Sequence, residues 1–218
     1  MTYRNVTEEQ LAQIVALAVQ KALAAQPRTV PVGISVRHIH LTRADLDRLF
    51  GRNYELTPKK RLSQPGQFAA EECLDVVGPK GVLTKIRILG PVRSATQIEL
   101  AQTDCRTIGI QAPVRSSGDT AGTPGVTLRG PLGEVTVPEG VIIADRHLHL
   151  APGEAAAYGL RDGDRIRVEV GGVKPGILGG VLVRSGPHCA MDLHIDTDDG
   201  NAFQLAQGQL VTILGKEE

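Results

Sequence analysis

The chain has 218 residues, and its 24 Lys and Arg balance 24 Asp and Glu, for a formal charge of zero. That neutrality leaves no overall basic footprint for nucleic acid or an anionic membrane surface. The length allows one large or two small domains with real cores, and 25 Gly, 13 Pro and only 3% aromatic residues suit many short strands joined by tight turns over Val, Ile and Leu.

Residues 6 to 25 carry a helical pattern. Thr7 and Gln10 fit a capping box, Val6 and Leu11 a hydrophobic staple, and Leu11, Ile14, Val15, Ala18 and Ala22 form one apolar stripe that Pro27 ends. This amphipathic helix stands apart from a β-rich remainder, and its apolar face is suited to docking on a partner. Nothing near it reads as a signal peptide, and no apolar run reaches the roughly 18 residues of a membrane span. The cytoplasm is the expected compartment.

From Thr29 to Leu41 the pattern predicts a strand. Thr42 then caps a short helix, Arg43 to Phe50, closed by Gly51. Residues 52 to 71 are mixed, with a basic patch at Lys59, Lys60 and Arg61. Strands are expected at Cys73–Val77, Val82–Leu89 and Thr96–Leu100, and the loop Gly90-Pro91-Val92-Arg93-Ser94 exposes one arginine. A stretch rich in Gly, Pro, Ser and Thr, residues 113 to 140, holds strands near Val126–Arg129 and Glu134–Val137. Beyond Val141 come a short helix from Pro152 to Tyr158, strands at Arg165–Val170, Val181–Arg184 and Met191–Ile195, a short helix capped near Asp196, and a last strand at Leu210–Leu214.

Two short motifs organise this pattern. Val36-Arg37-His38-Ile39-His40-Leu41 returns as Asp145-Arg146-His147-Leu148-His149-Leu150. Histidines at i and i+2 lie on one face of a strand, and the flanking Ile and Val favour that conformation. Each copy therefore offers two imidazoles with a common aim, half of a zinc site. Four of the six histidines sit in these pairs. Each pair is followed by a short helix, a Gly and further strands, a faint duplication read as two related β-barrels with the pairs near their junction.

A catalytic zinc takes three protein ligands and keeps one open position. His194, on an alternating strand, is the leading third ligand for one pair. Glu99, sharing a strand face with Gln97, is a weaker candidate for the other, since a solvated carboxylate would look the same. Arg37 and Arg146 point away from the histidines and suit structural salt bridges. Arg93 can hold phosphate with two parallel bonds, and Lys59, Lys60 and Arg87 can meet further phosphates. No Walker loop, dinucleotide fingerprint or nucleophile elbow is present. Cys73, Cys105 and Cys189 form neither a disulfide framework nor a Cys-x-x-Cys knuckle, and buried core is their default. A zinc hydrolase and a non-enzymatic metal-tied module remain rival readings.

Four segments together resemble the PduL-type phosphotransacylases, or phosphate propanoyltransferases. They are Gly33-Ile-Ser-Val-Arg-His-Ile-His-Leu-Thr42, Gly90-Pro-Val-Arg-Ser-x-Thr-Gln-Ile-Glu99, Arg146-His-Leu-His149 and His194-Ile-Asp-Thr-Asp-Asp-Gly-Asn201. The resemblance spans about residues 30 to 215. It implies a mainly β fold, with two β-barrel domains, short capping helices and the amphipathic N-terminal helix. The expected division is a targeting peptide and linker at 1–26, one barrel from 27–36 with 145–218, and a second from 37–144 carrying a small insertion near 51–71.

The resemblance also implies two zinc ions per chain, one on His38, His40 and Glu99 and one on His147, His149 and His194. It implies exchange of a short acyl group, propanoyl or acetyl, between coenzyme A and inorganic phosphate. Arg93 would bind phosphate, while Ser35, Lys60, Arg87, Leu89, His194 and Asn201 would line the coenzyme A pocket. The partners implied are acyl-CoA, CoA, phosphate and shell or core proteins of a bacterial microcompartment serving propanediol degradation. The first helix would dock there, the expected state is a homo-oligomer, and no nucleic acid or membrane is involved.

Overall fold

A computed structural model describes residues 7–24 and 28–217. In chain order the elements are α1 (Glu8–Ala24), β1 (Thr29–Ser35), β2 (His38–His40), α2 (Arg43–Phe50), β3 (Pro58–Arg61), β4 (Phe68–Val77), β5 (Val82–Gly90), β6 (Gln97–Glu99) and α3 (Gln102–Ile108). They continue with β7 (Val114–Arg115), β8 (Val126–Gly130), β9 (Gly133–Val137), β10 (Val141–Ala144), β11 (His147–Leu150), α4 (Pro152–Ala157), β12 (Arg165–Val170), β13 (Gly176–Ser185), β14 (Asp192–Asp196), α5 (Thr197–Phe203) and β15 (Leu210–Lys216).

The fold is mainly β, as expected. Strands β1, β14, β11, β13, β12 and β15 close into a six-stranded barrel. The others form a curled nine-stranded sheet, ordered β7-β10-β6-β2-β5-β4-β8-β9 with β3 added on β4. Each has its own core: Leu148, Val183 and Leu193 lie wholly buried inside the barrel, and Ile39, Ile88 and Ile98 within the sheet. The two backbones cross from one structure to the other at the same relative place. Val36-Arg37 leads from β1 in the barrel to β2 in the sheet, and Asp145-Arg146 leads from β10 in the sheet to β11 in the barrel.

This crossing corrects the single strand expected over residues 29 to 41. β1 pairs with β14 and β15, whereas β2 pairs with β5 and β6. The apolar run is continuous, but its hydrogen-bonding partners change, and a pattern within one segment does not reveal partners. Three further readings change. The strand expected from Cys73 begins at Phe68, because Pro58–Arg61 within the mixed stretch pairs with it as β3. The strand expected at 181–184 runs from Gly176 to Ser185. Helix α3 follows β6 unannounced, since its seven residues carry no apolar period and its N-cap is Ala101.

Helix α2 forms as its signals predict: the Thr42 hydroxyl accepts from Asp45 N at 3.1 Å, and Gly51 ends it with φ 109°. At the start of α1, Gln10 N donates to Thr7 Oγ1 at 3.2 Å while Thr7 N donates to Gln10 Oε1 at 3.1 Å, the reciprocal pair of a capping box. Leu11, Ile14 and Val15 are exposed there. Val6, Pro27 and the expected helix ends at 6 and 25 lie outside the described residues, as do the side chains of Ala18 and Ala22.

Candidate active site

Both histidine pairs lie on strands with an antiparallel neighbour that supplies a third candidate ligand. In the sheet, β2 faces β6, with His38 opposite Glu99 and His40 opposite Gln97. In the barrel, β11 faces β14, with His147 opposite His194 and His149 opposite Asp192. Directly opposed residues bring their side chains together on one face. The result is two groups, His38, His40 and Glu99 and His147, His149 and His194, each with its ligand atoms within 4.8 Å of one another. Three ligands of this kind with room for a fourth suit a catalytic zinc.

The hydrogen bonds prepare these rings for a metal. His38 Nδ1 lies 2.8 Å from Val36 O, and His147 Nδ1 lies 2.7 Å from Asp145 O. A carbonyl only accepts, so each Nδ1 carries a proton; in His147 this leaves Nε2 its lone pair, while His38 Nε2 faces the Glu99 carboxylate at 3.4 Å. Nε2 of His194 meets Asp192 Oδ2 at 3.1 Å, which frees Nδ1 in the same way. The Nδ1 atoms of His40 and His149 are buried with no hydrogen-bond partner. An orphaned buried nitrogen costs about 1–3 kcal/mol, and a bound metal would satisfy it. The residues present therefore fit the ions expected of them.

Electrostatics point the same way. Burial, followed by the neighbouring His38, pulls His40 down to about 3. Burial also lowers His147 to about 4 and, with His147 and His194 beside it, His149 to about 3. These imidazoles are neutral near pH 7 and ready to ligate. Burial acts against the Glu99 carboxylate, but His38, 3.4 Å away, outweighs it and holds Glu99 well below the usual range. The same contact raises His38 in spite of its burial.

Both groups open on one cavity of about 780 Å³ between barrel and sheet. Arg93, Ser35, Lys60, Arg87 and Leu89 line it, together with all six metal-ligand candidates. Asn201 does not; it lies exposed on α5. Arg87 donates to Ala70 O at 2.5 Å and Glu71 O at 3.2 Å, and Lys59 pairs with Glu71 at 2.7 Å. Lys60 has no ion pair among the described residues. Arg37 and Arg146 make the structural ion pairs expected of them, with Asp104 and, at 2.8 Å, with Asp199.

Of the side chains that support the site, Gln97 was marked in the sequence by its strand face, whereas Ser117 and Gln64 gave no recognisable sign. Ser117 donates to Glu99 Oε1 at 2.8 Å and accepts from Arg93 Nη1 at 3.2 Å, so it links the guanidinium to a ligand. Gln97 donates to the same Glu99 oxygen at 2.5 Å. Gln64 clasps Ala190 through two bonds, at 2.9 and 3.2 Å, holding the 62–67 loop against the barrel. Ser117 and Gln64 sit in loops without periodicity. Asp192 was legible in part, because it shares a strand face with His194.

Known proteins resemble this chain over most of its length. The family model described as phosphate propanoyltransferase matches residues 31–206. Curated proteins named phosphate propanoyltransferase include one from Thermotoga maritima, 47% identical over 197 residues, which covers 90% of this chain and 93% of the relative. One from Rhodopseudomonas palustris is 48% identical over 190 residues, 87% and 84% of the two chains. Another, from Rhodobacter capsulatus, is 44% identical over 209 residues, 96% and 95%. On these similarities the chain belongs to the phosphate propanoyltransferase family of acyltransferases.

Proposed function

We propose that this protein exchanges a short acyl group, propanoyl or acetyl, between coenzyme A and inorganic phosphate by direct transfer. The observation that carries the reading is the meeting of two three-ligand groups and Arg93 in one cavity. In the forward direction a phosphate oxygen attacks the thioester carbonyl carbon. The carbon–sulfur bond breaks and CoA leaves as thiolate, giving acyl phosphate. Zinc ions held by His38, His40 and Glu99 and by His147, His149 and His194 would supply Lewis acidity toward the carbonyl and stabilise the thiolate.

The chain's own groups do the positioning. Arg93 offers a fork of N–H donors to phosphate, and its bond to Ser117 fixes that fork relative to Glu99. Phosphate then attacks as a neighbour rather than a diffusing solute. Ser35, Lys60, Arg87, Leu89 and His194, all on the cavity wall, support a coenzyme A site there. Asn201, exposed on α5, would meet coenzyme A only where the ligand extends beyond that wall. No cysteine lines the cavity, and burial pushes the Cys105 thiol up to about 11. That supports transfer without an acyl-cysteine.

Helix α1 presents Leu11, Ile14, Val15 and Leu17 to solvent. We read this face as a docking surface for shell or core proteins of a microcompartment. No described helix is long and apolar enough to cross a membrane.

Thiol release from propanoyl-CoA, measured with and without phosphate and chelator, tests the reading. Release is expected to require phosphate and to stop with chelation. Thiol release at equal rate without phosphate would make the protein a hydrolase. Arg93→Ala should lower turnover by about 100-fold or more while two metals remain bound.

A further inference from the structure

The Proposed function gives phosphate one guanidinium, Arg93. The barrel brings a second. Arg184 lies on β13, which runs parallel to β11, with Arg184 beside His149 and Val183 beside Leu148. Val183 and Leu148 point into the barrel core. Alternation therefore turns Arg184 to the side that carries the histidines, and Arg184 lines the same cavity as Arg93.

The surroundings leave this guanidinium with work to do. Among the described residues the Arg184 guanidinium makes no ion pair and no hydrogen bond, although the residue is half-buried. The other arginines next to the histidine strands are engaged: Arg37 with Asp104, Arg146 with Asp199, and Arg87 with two carbonyls of β4. The cavity's carboxylates are engaged as well. Glu99 is held by His38, Gln97 and Ser117, Asp192 by His194, and Asp145 by Arg165.

Arg93 and Arg184 thus face one cavity as like charges. Two half-buried guanidiniums repel unless an anion stands between them. The corresponding place in the other half holds no charge. There β5 runs parallel to β2 with Arg87 beside His38, which leaves Leu89 as the residue level with His40. The half with an apolar Leu89 receives Arg93 from the loop after β5, whereas the matching Gly186-Pro187-His188-Cys189 loop after β13 carries no arginine and the barrel half receives Arg184 from the strand itself.

We propose that Arg184 is a second positioning residue for the phosphate dianion, gripping it from the barrel while Arg93 grips it from the sheet. The ligand is inorganic phosphate, or the phosphoryl end of the acyl phosphate in the reverse reaction, rather than a phosphate ester of coenzyme A. The inference rests on the transfer reading above.

The test uses the full-length, metal-loaded protein. Calorimetric titration with inorganic phosphate is paired with KM values for phosphate and for propanoyl-CoA, metal content and a thermal melt. Arg184→Ala should weaken phosphate binding about tenfold to hundredfold, the loss of one or two charge-assisted bonds. KM for phosphate should rise in parallel, KM for propanoyl-CoA should stay within about twofold, and both metals should remain. Arg184→Lys, which keeps the charge and loses the fork, should recover part of the binding.

Unchanged phosphate affinity in Arg184→Ala overturns the proposal. So does a KM rise confined to propanoyl-CoA, which assigns Arg184 to the coenzyme, and so does metal loss in both variants, which makes it structural. If Arg184→Ala abolishes phosphate binding but the unmodified protein releases no thiol, the clamp stands and the transfer reading falls. If the unmodified protein releases thiol with phosphate and the variant's phosphate KM is unchanged, the clamp alone falls.

Discussion

The two histidine strands are built alike and equipped differently. Each follows a crossing between barrel and sheet, and each meets its third candidate ligand on the antiparallel strand opposite its first histidine. Each is preceded by an arginine that reaches the aspartate in the first turn of the helix after that third-ligand strand, Arg37 to Asp104 and Arg146 to Asp199. The two helix starts are themselves joined, as Thr103 N and Oγ1 donate to the Asp198 carboxylate at 2.9 and 2.7 Å. Against this common frame stand four differences: Glu99 where the barrel has His194, Gln97 where it has Asp192, Arg87 where it has Leu182, and Leu89 where it has Arg184. A metal on the sheet side would be partly neutralised by a carboxylate, whereas one on three imidazoles would keep its full charge and polarise a bound oxygen more strongly. Ligand charge distinguishes the halves more than backbone does.

Removing the third ligands breaks the comparison most directly. Glu99→Ala and His194→Ala should each lower metal content from two ions per chain to about one and cut phosphate-dependent thiol release by more than about 100-fold. Elemental analysis of the purified variants checks this, and retention of both ions in either variant would remove that residue from the ligand set. Acid should act chiefly through the imidazoles once metal is chelated. His40, His147 and His149 sit at about 3, about 4 and about 3, below their ordinary 6.5. As pH falls below 6.5 the unfolded chain takes up protons that these buried rings refuse. Their stabilisation is therefore complete above 6.5 and is lost progressively as pH falls toward those lower values. His38, raised by Glu99, works in the opposite sense, stabilising below 6.5 and losing that contribution as pH rises through its own value. Three rings outweigh one, so urea midpoints of chelated protein should be lower at pH 5 than at pH 7. A higher midpoint at pH 5 would mean that the rings accept protons in the folded state.

A smaller change separates the halves without touching a ligand. Gly33 on β1 pairs with His194 on β14, and a Cβ there would lie 2.8 Å from the Asp192 carboxylate and 2.8 Å from His194 Cδ2. Gly33→Ala should displace His194 and cost about 1–3 kcal/mol. It should weaken metal binding in the barrel while the sheet group holds its ion, and metal titration with two resolved affinities would detect an equal loss at both. The smallest effects belong to the supporting arginines. Arg37→Ala and Arg146→Ala should each cost about 0.5–1.5 kcal/mol, because both pairs are partly exposed. Loss of bound metal in one but not the other would show that the frames are unequal.

The sequence by itself determined the two histidine pairs, because a strand period of two puts His38 beside His40 and His147 beside His149 wherever the strands end up. It also determined the strand-rich class and the cap on α2, both of which depend on local chemistry; of the cysteines expected in the core only Cys105 is buried, while Cys73 and Cys189 are half-buried. Tertiary structure decided what stands opposite each histidine, where one apolar run bends from barrel to sheet at Val36-Arg37, and which arginines are left without a partner. Ser117 and Arg184 reach the cavity through pairings and loop placements far along the chain, and such neighbours leave no periodic trace in the segments that carry them.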